Sequence, residues 1–359
     1  MSWPERPGHT AAMDDARFVD PSQPPHPVYL VWELTLRCDQ ACLHCGSRAG
    51  LPRAGELDTD EVVSVARQLA PLGMREVTLI GGEAYLRADW SRIARAITDS
   101  GVRCSLVTGG RGFGRAQADA ARDAGISTVS VSVDGTRGVH DAVRAVPGSW
   151  DAAMHAIDAA VEAGLVVTAN TQVNRRNVGE LEVIVEHLVA KGIAAWQIQL
   201  TTPMGRAAAS ADLLLQPYDL LEVIPTLGRL AESLRARGRS LWAADNVGYY
   251  GPWETALRSG TYWQGCTAGG WTLGIQSDGL VKGCASLPGD TYGDMNVRDR
   301  PLAEIVANSA ALARTRDRTK RWGRCAPCYH GDICRGGCTW TAEPFGHGVW
   351  EVVVEPSGA

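Results

Sequence analysis

No stretch of this 359-residue chain reaches the roughly 18 apolar residues that a membrane-spanning helix needs. Its first residues, MSWPERPGHTAAMDDARF, contain no apolar segment of the kind found in signal peptides. Positive charge is not in excess either, because the formal net charge is −5 at pH 7. These absences argue against a membrane span, secretion and non-specific binding to nucleic acid or acidic membranes. We therefore expect a cytoplasmic protein with no nucleic-acid partner and no membrane partner.

Cysteine is too sparse for a disulfide scaffold, with 10 residues in the whole chain. Nine of them fall in two regions, and the tenth, Cys104, stands alone in an apolar run. In a reducing compartment, clustered cysteines indicate metal or redox chemistry, whereas a lone buried cysteine usually acts as a small hydrophobe. The 45% hydrophobic content is ordinary for a globular chain, so a sizeable core can form.

Apolar runs alternate with amphipathic segments over most of the chain. Strand patterns rich in β-branched residues span 28–35, 76–81, 103–108, 127–133, 165–173 and 195–200, and helical patterns span 59–70, 90–100, 114–124, 149–163, 178–191 and 216–237. Repeated strand–helix alternation predicts a parallel sheet with right-handed crossovers, and six units are fewer than the eight of a closed barrel. The pattern predicts an α/β fold, a partial (β/α)6 TIM-like barrel that binds ligands at the C-terminal ends of its strands.

Composition divides the chain into four parts. Residues 1–27 are rich in proline and charge and are expected to form a flexible N-terminal extension. Residues 28–244 hold the barrel pattern. Residues 245–345 are rich in glycine, cysteine and tryptophan, which favours a small domain stabilised by metal rather than by a large core. Residues 346–359 form a tail.

The first cysteine cluster lies just after the first predicted strand, where Cys38, Cys42 and Cys45 occur in RCDQACLHC. This spacing lets three thiolates converge on one centre. A structural zinc ion is normally closed by four ligands, which here would require His44 as the fourth. A three-cysteine [4Fe–4S] cluster instead leaves one iron free to bind another group. Both interpretations remain open on this loop alone.

A glycine-rich motif follows the second predicted strand, at the end where a barrel binds its ligand. Gly81 and Gly82 permit close approach of a ligand, and Glu83 can accept hydrogen bonds from an ammonium group. The motif comes one strand–helix unit after the CX3CX2C loop. In this combination the chain resembles the radical S-adenosylmethionine (SAM) superfamily.

The resemblance implies a [4Fe–4S] cluster on Cys38, Cys42 and Cys45, whose free iron binds the amino and carboxylate groups of SAM. In such enzymes the reduced cluster cleaves SAM, and the resulting 5′-deoxyadenosyl radical takes a hydrogen atom from an unactivated C–H bond. An electron donor such as flavodoxin or ferredoxin is therefore an implied partner. The implied SAM contacts lie at the strand ends and comprise Gly81, Gly82, Glu83, Ser132, Arg144, Asn170, Gln172, Gln199, Leu200 and Met204.

These contacts have different implied roles. Glu83 would bind the amino group of SAM, Arg144 its carboxylate, and Leu200 and Met204 its adenine. The alternative role for the polar residues after Glu83 is a capping or inter-strand hydrogen bond. Asp134 is expected to order a turn instead.

The second cysteine region begins with Cys266 and Cys284, in CTAGGWTLGIQSDGLVKGC, and continues in CAPCYHGDICRGGC. Zinc ribbons also use CX2C pairs, so a structural zinc site is the alternative here. The full pattern resembles the SPASM domain, a C-terminal extension of radical SAM enzymes that carries auxiliary iron–sulfur clusters. The resemblance implies a first auxiliary cluster on Cys266, Cys284 and Cys338 and a second on Cys325, Cys328 and Cys334.

The family pattern normally includes a seventh cysteine, and none follows Cys338 here. We therefore expect one or two auxiliary clusters. The second cluster either has a ligand other than cysteine, or keeps an open iron, or is absent. Glu343 and His347 are the nearest candidates for its fourth ligand. Asp278 is the candidate for the first auxiliary cluster.

Phenylalanine is scarce, with 3 residues against 12 tryptophans. Six aromatic residues lie between the barrel pattern and the second cysteine region or at its start: Trp242, Tyr249, Tyr250, Trp253, Trp263 and Trp271. They either line a channel for a peptide or pack a small domain that is poor in aliphatic residues.

Further stretches, among them LIGGEAYLR, WQIQLTTPMGRAA and DNVGYYGPWE, resemble SPASM-type peptide maturases. The resemblance implies an enzyme that takes hydrogen from a ribosomally made precursor peptide and forms a side-chain crosslink, with a separate peptide-recognition protein as a further partner. Epimerisation would need a hydrogen donor, and Cys104 is the one spare cysteine. The alternatives are a radical SAM dehydrogenase or epimerase of a small metabolite and a non-catalytic iron–sulfur or zinc scaffold.

Replacing Cys38, Cys42 and Cys45 together by alanine is expected to abolish SAM cleavage, because the cluster that supplies the electron loses its thiolate ligands. The second cysteine region should keep some iron. The measurements are 5′-deoxyadenosine release in the presence of SAM and reductant, and iron content. If the triple variant still made 5′-deoxyadenosine, the assignment of this loop would be wrong.

Overall fold

The computed structural model describes residues 26–260, 262–317 and 325–342, and within them ten strands form one sheet. The strands are β1 (Tyr29–Thr35), β2 (Glu76–Gly81), β3 (Arg103–Thr108), β4 (Thr128–Ser132), β5 (Val166–Val173), β6 (Ala195–Leu200), β7 (Ser240–Ala243), β8 (Thr272–Ile275), β9 (Leu280–Lys282) and β10 (Gly293–Asn296). Their order across the sheet is β10-β9-β8-β1-β2-β3-β4-β5-β6-β7.

Strands β1 to β7 are parallel, and each pairs with the next one along the chain. Strand β8 pairs in parallel with the other edge of β1, and β9 and β10 continue the sheet in antiparallel pairs. Parallel neighbours require crossover connections, which the helices provide. The α/β partial barrel predicted from the sequence is confirmed, with two more parallel strands, β7 and β8, than the six predicted.

Helices fill the connections and much of the C-terminal region. The α-helices are α1 (Thr59–Leu69), α2 (Trp90–Asp99), α3 (Arg115–Asp123), α4 (Arg137–Arg144), α5 (Ser149–Glu162), α6 (Leu181–Ala190), α7 (Leu220–Ala236), α8 (Glu254–Leu257), α9 (Gly289–Tyr292), α10 (Leu302–Asn308), α11 (Ala310–Arg316), α12 (Gly331–Cys334) and α13 (Thr339–Ala342). Short 3₁₀ turns span Ala84–Leu86, Val178–Glu180, Gly205–Ala209, Ala211–Leu213 and Pro217–Asp219. None of the helices in the described residues is long and apolar enough to cross a membrane.

Alternate residues of the barrel strands face opposite sides of the sheet. Trp32, Leu106 and Trp196 are fully buried in the apolar core. Residues next to these in the strands face the barrel interior, and several of them are polar. Ser105, beside Leu106, and Gln197, beside Trp196, line a central cavity. This alternation keeps the apolar layer under the helices and places polar side chains among the apolar ones in the barrel interior.

Strands β8 to β10 come from residues 245–345, the predicted metal-stabilised domain, and they extend the barrel sheet rather than forming a separate one. Residues 1–25 of the predicted extension and the tail at 346–359 lie outside the described residues. The proposed division into domains therefore stays a prediction.

Candidate active site

The first cysteine loop follows β1 at the rim of the barrel. Cys42 is buried, and Cys38 and Cys45 are half-buried. Main-chain amides of Gln40 and Ala49 donate to the sulfur atoms of Cys38 and Cys45, each at 3.4 Å. Because amide donors stabilise the charged form of a thiol, this loop is suited to hold thiolate ligands. Without a metal, burial raises the pKa of Cys38 to about 12.

The spacing of these thiols bears on the kind of metal centre. A zinc ion with Zn–S bonds of about 2.3 Å would draw tetrahedral sulfur ligands to about 3.8 Å from one another. Among the described residues, one group of three possible ligand atoms lies within 4.8 Å of one another, and it comprises Cys38, Asp39 and Glu83. The three thiols of the loop do not all lie within that distance of one another. His44, the fourth zinc ligand considered above, places Nε2 2.7 Å from Asp134 Oδ2, and its buried Nδ1 has no hydrogen-bond partner among the described residues. The thiols are therefore not gathered as they would be around a single zinc ion.

Gly81 and Gly82 lie against the chain that leads into the cysteine loop. A Cβ on Gly82 would collide with the Arg37 carbonyl and lie 2.7 Å from Cys38 Cβ. A Cβ on Gly81 would collide with the Thr35 carbonyl, to which the Gly82 amide donates at 2.8 Å. The two glycines therefore let β2 and the cysteine loop pack backbone against backbone. Their contact with a ligand stays a prediction.

Glu83 is 2% exposed, and strand β3 and the residue after it hold its carboxylate. Thr108 Oγ1 donates to Oε2 at 2.7 Å, and the Gly109 amide donates to Oε1 at 2.6 Å. Burial still raises the pKa of Glu83 to about 7, because these hydrogen bonds only partly offset the loss of water. A cation bound beside Glu83 would favour its charged form, so this carboxylate fits a ligand that carries positive charge.

Asp134 is fully buried and connects three parts of the barrel rim. Its Oδ2 accepts a hydrogen bond from His44 Nε2 at 2.7 Å and pairs with Arg144 Nη2 at 2.6 Å. Its Oδ1 accepts a hydrogen bond from the main-chain amide of Gln172 at 2.8 Å. Burial alone would raise the pKa of Asp134, but Arg144 and His44 more than offset it, so the pKa lies well below its usual range. Sequence reasoning assigned Asp134 to a turn. The structure adds a buried junction between the cysteine loop, α4 and β5.

The partnership with Asp134 also fixes Arg144. Its Nη1 donates to Cys42 Sγ at 3.6 Å, and its buried Nε has no hydrogen-bond partner among the described residues. Arg144 therefore stands beside a predicted cluster ligand. Its contact with the SAM carboxylate stays a prediction.

A segment after β6 closes over the cysteine loop from the other side. The Arg206 amide donates to the Cys45 carbonyl at 2.9 Å, and Arg206 Nη1 donates to the Cys42 carbonyl at 3.2 Å. Gly205, with φ of 58°, packs against the main chain of Cys45 and Gly46, where a Cβ would collide with both carbonyls. Sequence reasoning did not single out Gly205 or Arg206, although both belong to the TTPMGRA stretch that carries the family resemblance.

A cavity of about 810 Å³ occupies the barrel interior and extends to the C-terminal region. Asn170 and Gln199 line it, whereas the other predicted SAM contacts, Gly81, Gly82, Glu83, Ser132, Arg144, Gln172, Leu200 and Met204, do not. Asn170 Oδ1 and Gln172 Oε1 are buried and have no hydrogen-bond partner among the described residues. Because unsatisfied buried acceptors are costly, these two amides fit a bound ligand that donates hydrogen bonds.

The cysteines of the first predicted auxiliary site lie on the wall of the same cavity: Cys266, Cys284 and Cys338. A hydrogen bond with Cys266, together with burial, raises the pKa of Cys338 well above its usual value. Burial, and then the neighbouring Cys266, raises the pKa of Cys284. The three thiols are therefore close enough to interact. Asp278 accepts from the Leu280 amide at 3.2 Å, in the connection between β8 and β9, and does not line the cavity.

The second predicted auxiliary site surrounds α12. Burial raises the pKa of Cys334, and the neighbouring thiols of Cys325 and Cys328 raise it further. Cys328 is exposed, and the other two are half-buried. His330, between them in the chain, stacks on Tyr250 with ring centroids 4.4 Å apart. Glu343 and His347, the candidates for the missing ligand, lie outside the described residues.

The aromatic residues divide between the two roles considered from sequence. Trp242 and Trp271 line the cavity. Trp263 is buried and donates from Nε1 to Asp245 Oδ1 at 3.3 Å, and Trp253 packs against Gly228 of α7. The set therefore serves both the cavity wall and the packing around it.

Comparison with known proteins identifies one domain. Residues 32–188 match the model of the Radical SAM superfamily, so this part of the chain is a radical SAM domain, as predicted. An AdoMet-dependent heme synthase from Nitratidesulfovibrio vulgaris is 29% identical over 323 residues, covering 86% of this chain and 86% of that protein. A PqqA peptide cyclase from Methylobacterium sp. is 29% identical over 325 residues, covering 88% of this chain and 82% of that protein.

A solved structure shares the fold. Streptococcus suis SuiB bound to S-adenosylmethionine superposes with a TM-score of 0.73 at 16% identity, covering 89% of this chain and 75% of SuiB. The radical SAM domain supports an enzyme and implies SAM and a [4Fe–4S] cluster as its cofactors. The three cysteines of the loop fit the cluster, and the buried Glu83 and the two unsatisfied amides fit SAM.

Asp134→Asn is expected to lower the free energy of unfolding by about 3–5 kcal/mol, because it leaves Arg144 charged, buried and without its partner. Urea unfolding at pH 7 is the measurement. Since the pKa of Asp134 lies below its usual value, the stabilisation is present at neutral pH and is lost only as the pH falls below the ordinary aspartate range.

The matched control is Asp158→Asn, which removes a partly exposed carboxylate 2.5 Å from Lys191. Exposed pairs contribute about 0–1 kcal/mol, so this variant should unfold nearly as the unmodified protein does. Equal losses in the two variants would contradict the role given to Asp134.

Proposed function

We propose that this chain uses radical SAM chemistry to take a hydrogen atom from a ribosomally made precursor peptide and to form a side-chain crosslink. The observation that carries the proposal is one cavity whose wall includes the side-chain amides of Asn170 and Gln199 and the thiols of Cys266, Cys284 and Cys338. In this proposal residues 245–345 form a SPASM-type domain with one or two auxiliary iron–sulfur clusters. A flavodoxin or ferredoxin supplies electrons, and a separate protein assists peptide recognition.

When bound, SAM and the cluster on Cys38, Cys42 and Cys45 supply a 5′-deoxyadenosyl radical. Around that site Glu83 accepts hydrogen bonds from the ammonium group of SAM, and Arg144 lies near its carboxylate. Gly81, Gly82, Ser132, Asn170, Gln172, Gln199, Leu200 and Met204 surround the remaining parts of the molecule. The enclosing barrel wall excludes water and holds the target carbon near the radical.

Crosslinking needs an electron acceptor. Joining two side chains removes one hydrogen atom, one electron and one proton from the peptide, and the hydrogen atom goes to the 5′-deoxyadenosyl radical. An auxiliary cluster on Cys266, Cys284 and Cys338 lies on the cavity wall and would take the electron. Epimerisation instead needs a hydrogen-atom donor facing the substrate. Cys104 is fully buried on β3 and does not line the cavity, so it is poorly placed for that task.

The relatives support two substrate classes. The likeness to a PqqA peptide cyclase favours a peptide, and the cavity of about 810 Å³ with Trp242 and Trp271 in its wall provides space and apolar surface for one. The likeness to an AdoMet-dependent heme synthase, at the same 29% identity, favours an iron porphyrin as the second candidate substrate. This second candidate belongs to the small-molecule alternative considered from the sequence.

Anaerobic incubation with SAM and dithionite separates these functions. A peptide substrate, which would be sought in short reading frames beside the gene, should accelerate 5′-deoxyadenosine release and lose the mass of two hydrogen atoms. Acceleration by an iron porphyrin alone would establish the second candidate. If the peptide accelerates 5′-deoxyadenosine release but its mass stays unchanged, the modification is an epimerisation rather than a crosslink. Absence of 5′-deoxyadenosine under every condition would leave the non-catalytic scaffold.

Glu83→Ala is expected to weaken SAM binding without removing the cluster. Losing a hydrogen bond to a charged group costs about 1.5–3 kcal/mol, which is roughly a tenfold or larger increase in Kd. Glu83→Gln keeps the shape of the side chain but not its charge and should show most of the loss. Glu186→Gln, at an exposed ion pair with Arg237, is the control. Equilibrium binding of SAM and iron content are measured, and an unchanged Kd in both Glu83 variants would make this residue purely structural.

A further inference from the structure

Asp245 follows β7 and lies on the cavity wall together with Cys266, Cys284 and Cys338. Its two carboxylate oxygens receive long hydrogen bonds. Trp263 Nε1 donates to Oδ1 at 3.3 Å, and Thr267 Oγ1 donates to Oδ2 at 3.2 Å. Each carboxylate oxygen can accept more than one such contact, so lone pairs remain for a further partner.

The described part of the chain provides no ion pair for Asp245. Arg258 is close enough to influence it, but the Arg258 guanidinium donates to the main-chain carbonyls of Ala243, Ala244 and Val247, the last at 2.7 Å. Its ion pair goes to Glu254 at 3.5 Å. The hydrogen-bond donors to Asp245 are therefore two neutral groups, while the Arg258 guanidinium is directed to these carbonyls and to Glu254.

Asp245 is half-buried, and proteins stabilise such a carboxylate by pairing it with a cation or by binding a metal. The family resemblance assigns three cysteines to this auxiliary cluster and leaves its fourth ligand unassigned. The carboxylate of Asp278, considered from sequence, is used in the connection between β8 and β9 and does not line the cavity. Asp245 is on the cavity wall and is oriented by Trp263 and by Thr267, the residue that follows Cys266.

We propose that Asp245 is the oxygen ligand that completes the auxiliary iron–sulfur cluster on Cys266, Cys284 and Cys338. This inference rests on the auxiliary cluster of the proposed function. Iron supplies the positive charge that the carboxylate lacks, and the carboxylate supplies the fourth ligand. A carboxylate donates less electron density than a thiolate, and ligand identity helps to set the reduction potential of a cluster. The cluster therefore has a higher potential than one with four thiolates, which suits an electron acceptor.

The experiment uses the full chain with Cys38, Cys42 and Cys45 replaced by alanine, so that the SAM-binding cluster does not contribute to the spectra. In this background we compare the protein that keeps Asp245 with the Asp245→Cys and Asp245→Asn variants and with the control Asp278→Asn. Iron content, Mössbauer spectra and redox titration followed by electron paramagnetic resonance are measured after anaerobic reconstitution. None of these measurements depends on a substrate or on turnover.

Asp245→Cys should retain the iron, change the resonance spectrum and shift the potential to a lower value. Asp245→Asn should lose iron from the same cluster, whereas Asp278→Asn should match the background. If spectra and potential stay unchanged in both Asp245 variants while Cys266→Ser loses iron, the cluster exists and the ligand assignment is wrong. If Cys266→Ser also leaves iron and spectra unchanged, the auxiliary cluster of the proposed function is absent, and the assignment falls with it.

Discussion

The ion pair between Asp134 and Arg144 is the interaction on which the barrel rim depends. Both groups are buried, and the pair is 2.6 Å long. Because water no longer solvates either charge, the remaining polar atoms of the pair need further hydrogen bonds from the protein. His44 and the Gln172 amide supply them. Since His44 lies between two of the loop cysteines, this junction orients the thiols from one side, while Arg206 holds the loop carbonyls from the other. The protein thus holds the cysteine loop from both sides with its own contacts.

Polar groups inside the barrel fall into two layers with different needs. In the middle of the strands, Thr78 and Ser105 hydrogen-bond each other at 2.8 Å, and so do Thr168 and Ser130. These hydroxyls satisfy one another and present a neutral wall. At the rim, the amide oxygens of Asn170 and Gln172 remain without partners among the described residues. The capacity to bind a polar ligand is therefore concentrated at the strand ends, where parallel barrels place their sites.

Local patterns and long-range contacts differed in how well the sequence predicted them. Strands β2, β3 and β6 occur at their predicted bounds because each is a short run rich in apolar and β-branched residues. Strand β7 and helix α4 were missed, since four and eight residues give too short a pattern to recognise. Asp134 was read as a turn residue because its partner His44 lies 90 residues away in the chain, and no local spacing encodes that contact. The glycines of the GGE motif were found, but their packing against the cysteine loop required coordinates.

Strand β8 has a consequence for how the chain is made. Its pairing with β1, from Tyr29 opposite Thr272 to Trp32 opposite Ile275, joins the start of the barrel to a segment that leaves the ribosome much later. Until then β1 has one unpaired edge, and such edges invite pairing with other chains. The loop that carries Cys38, Cys42 and Cys45 begins directly after this strand. Completion of the C-terminal region therefore protects the edge of the strand that leads into the first cysteine loop.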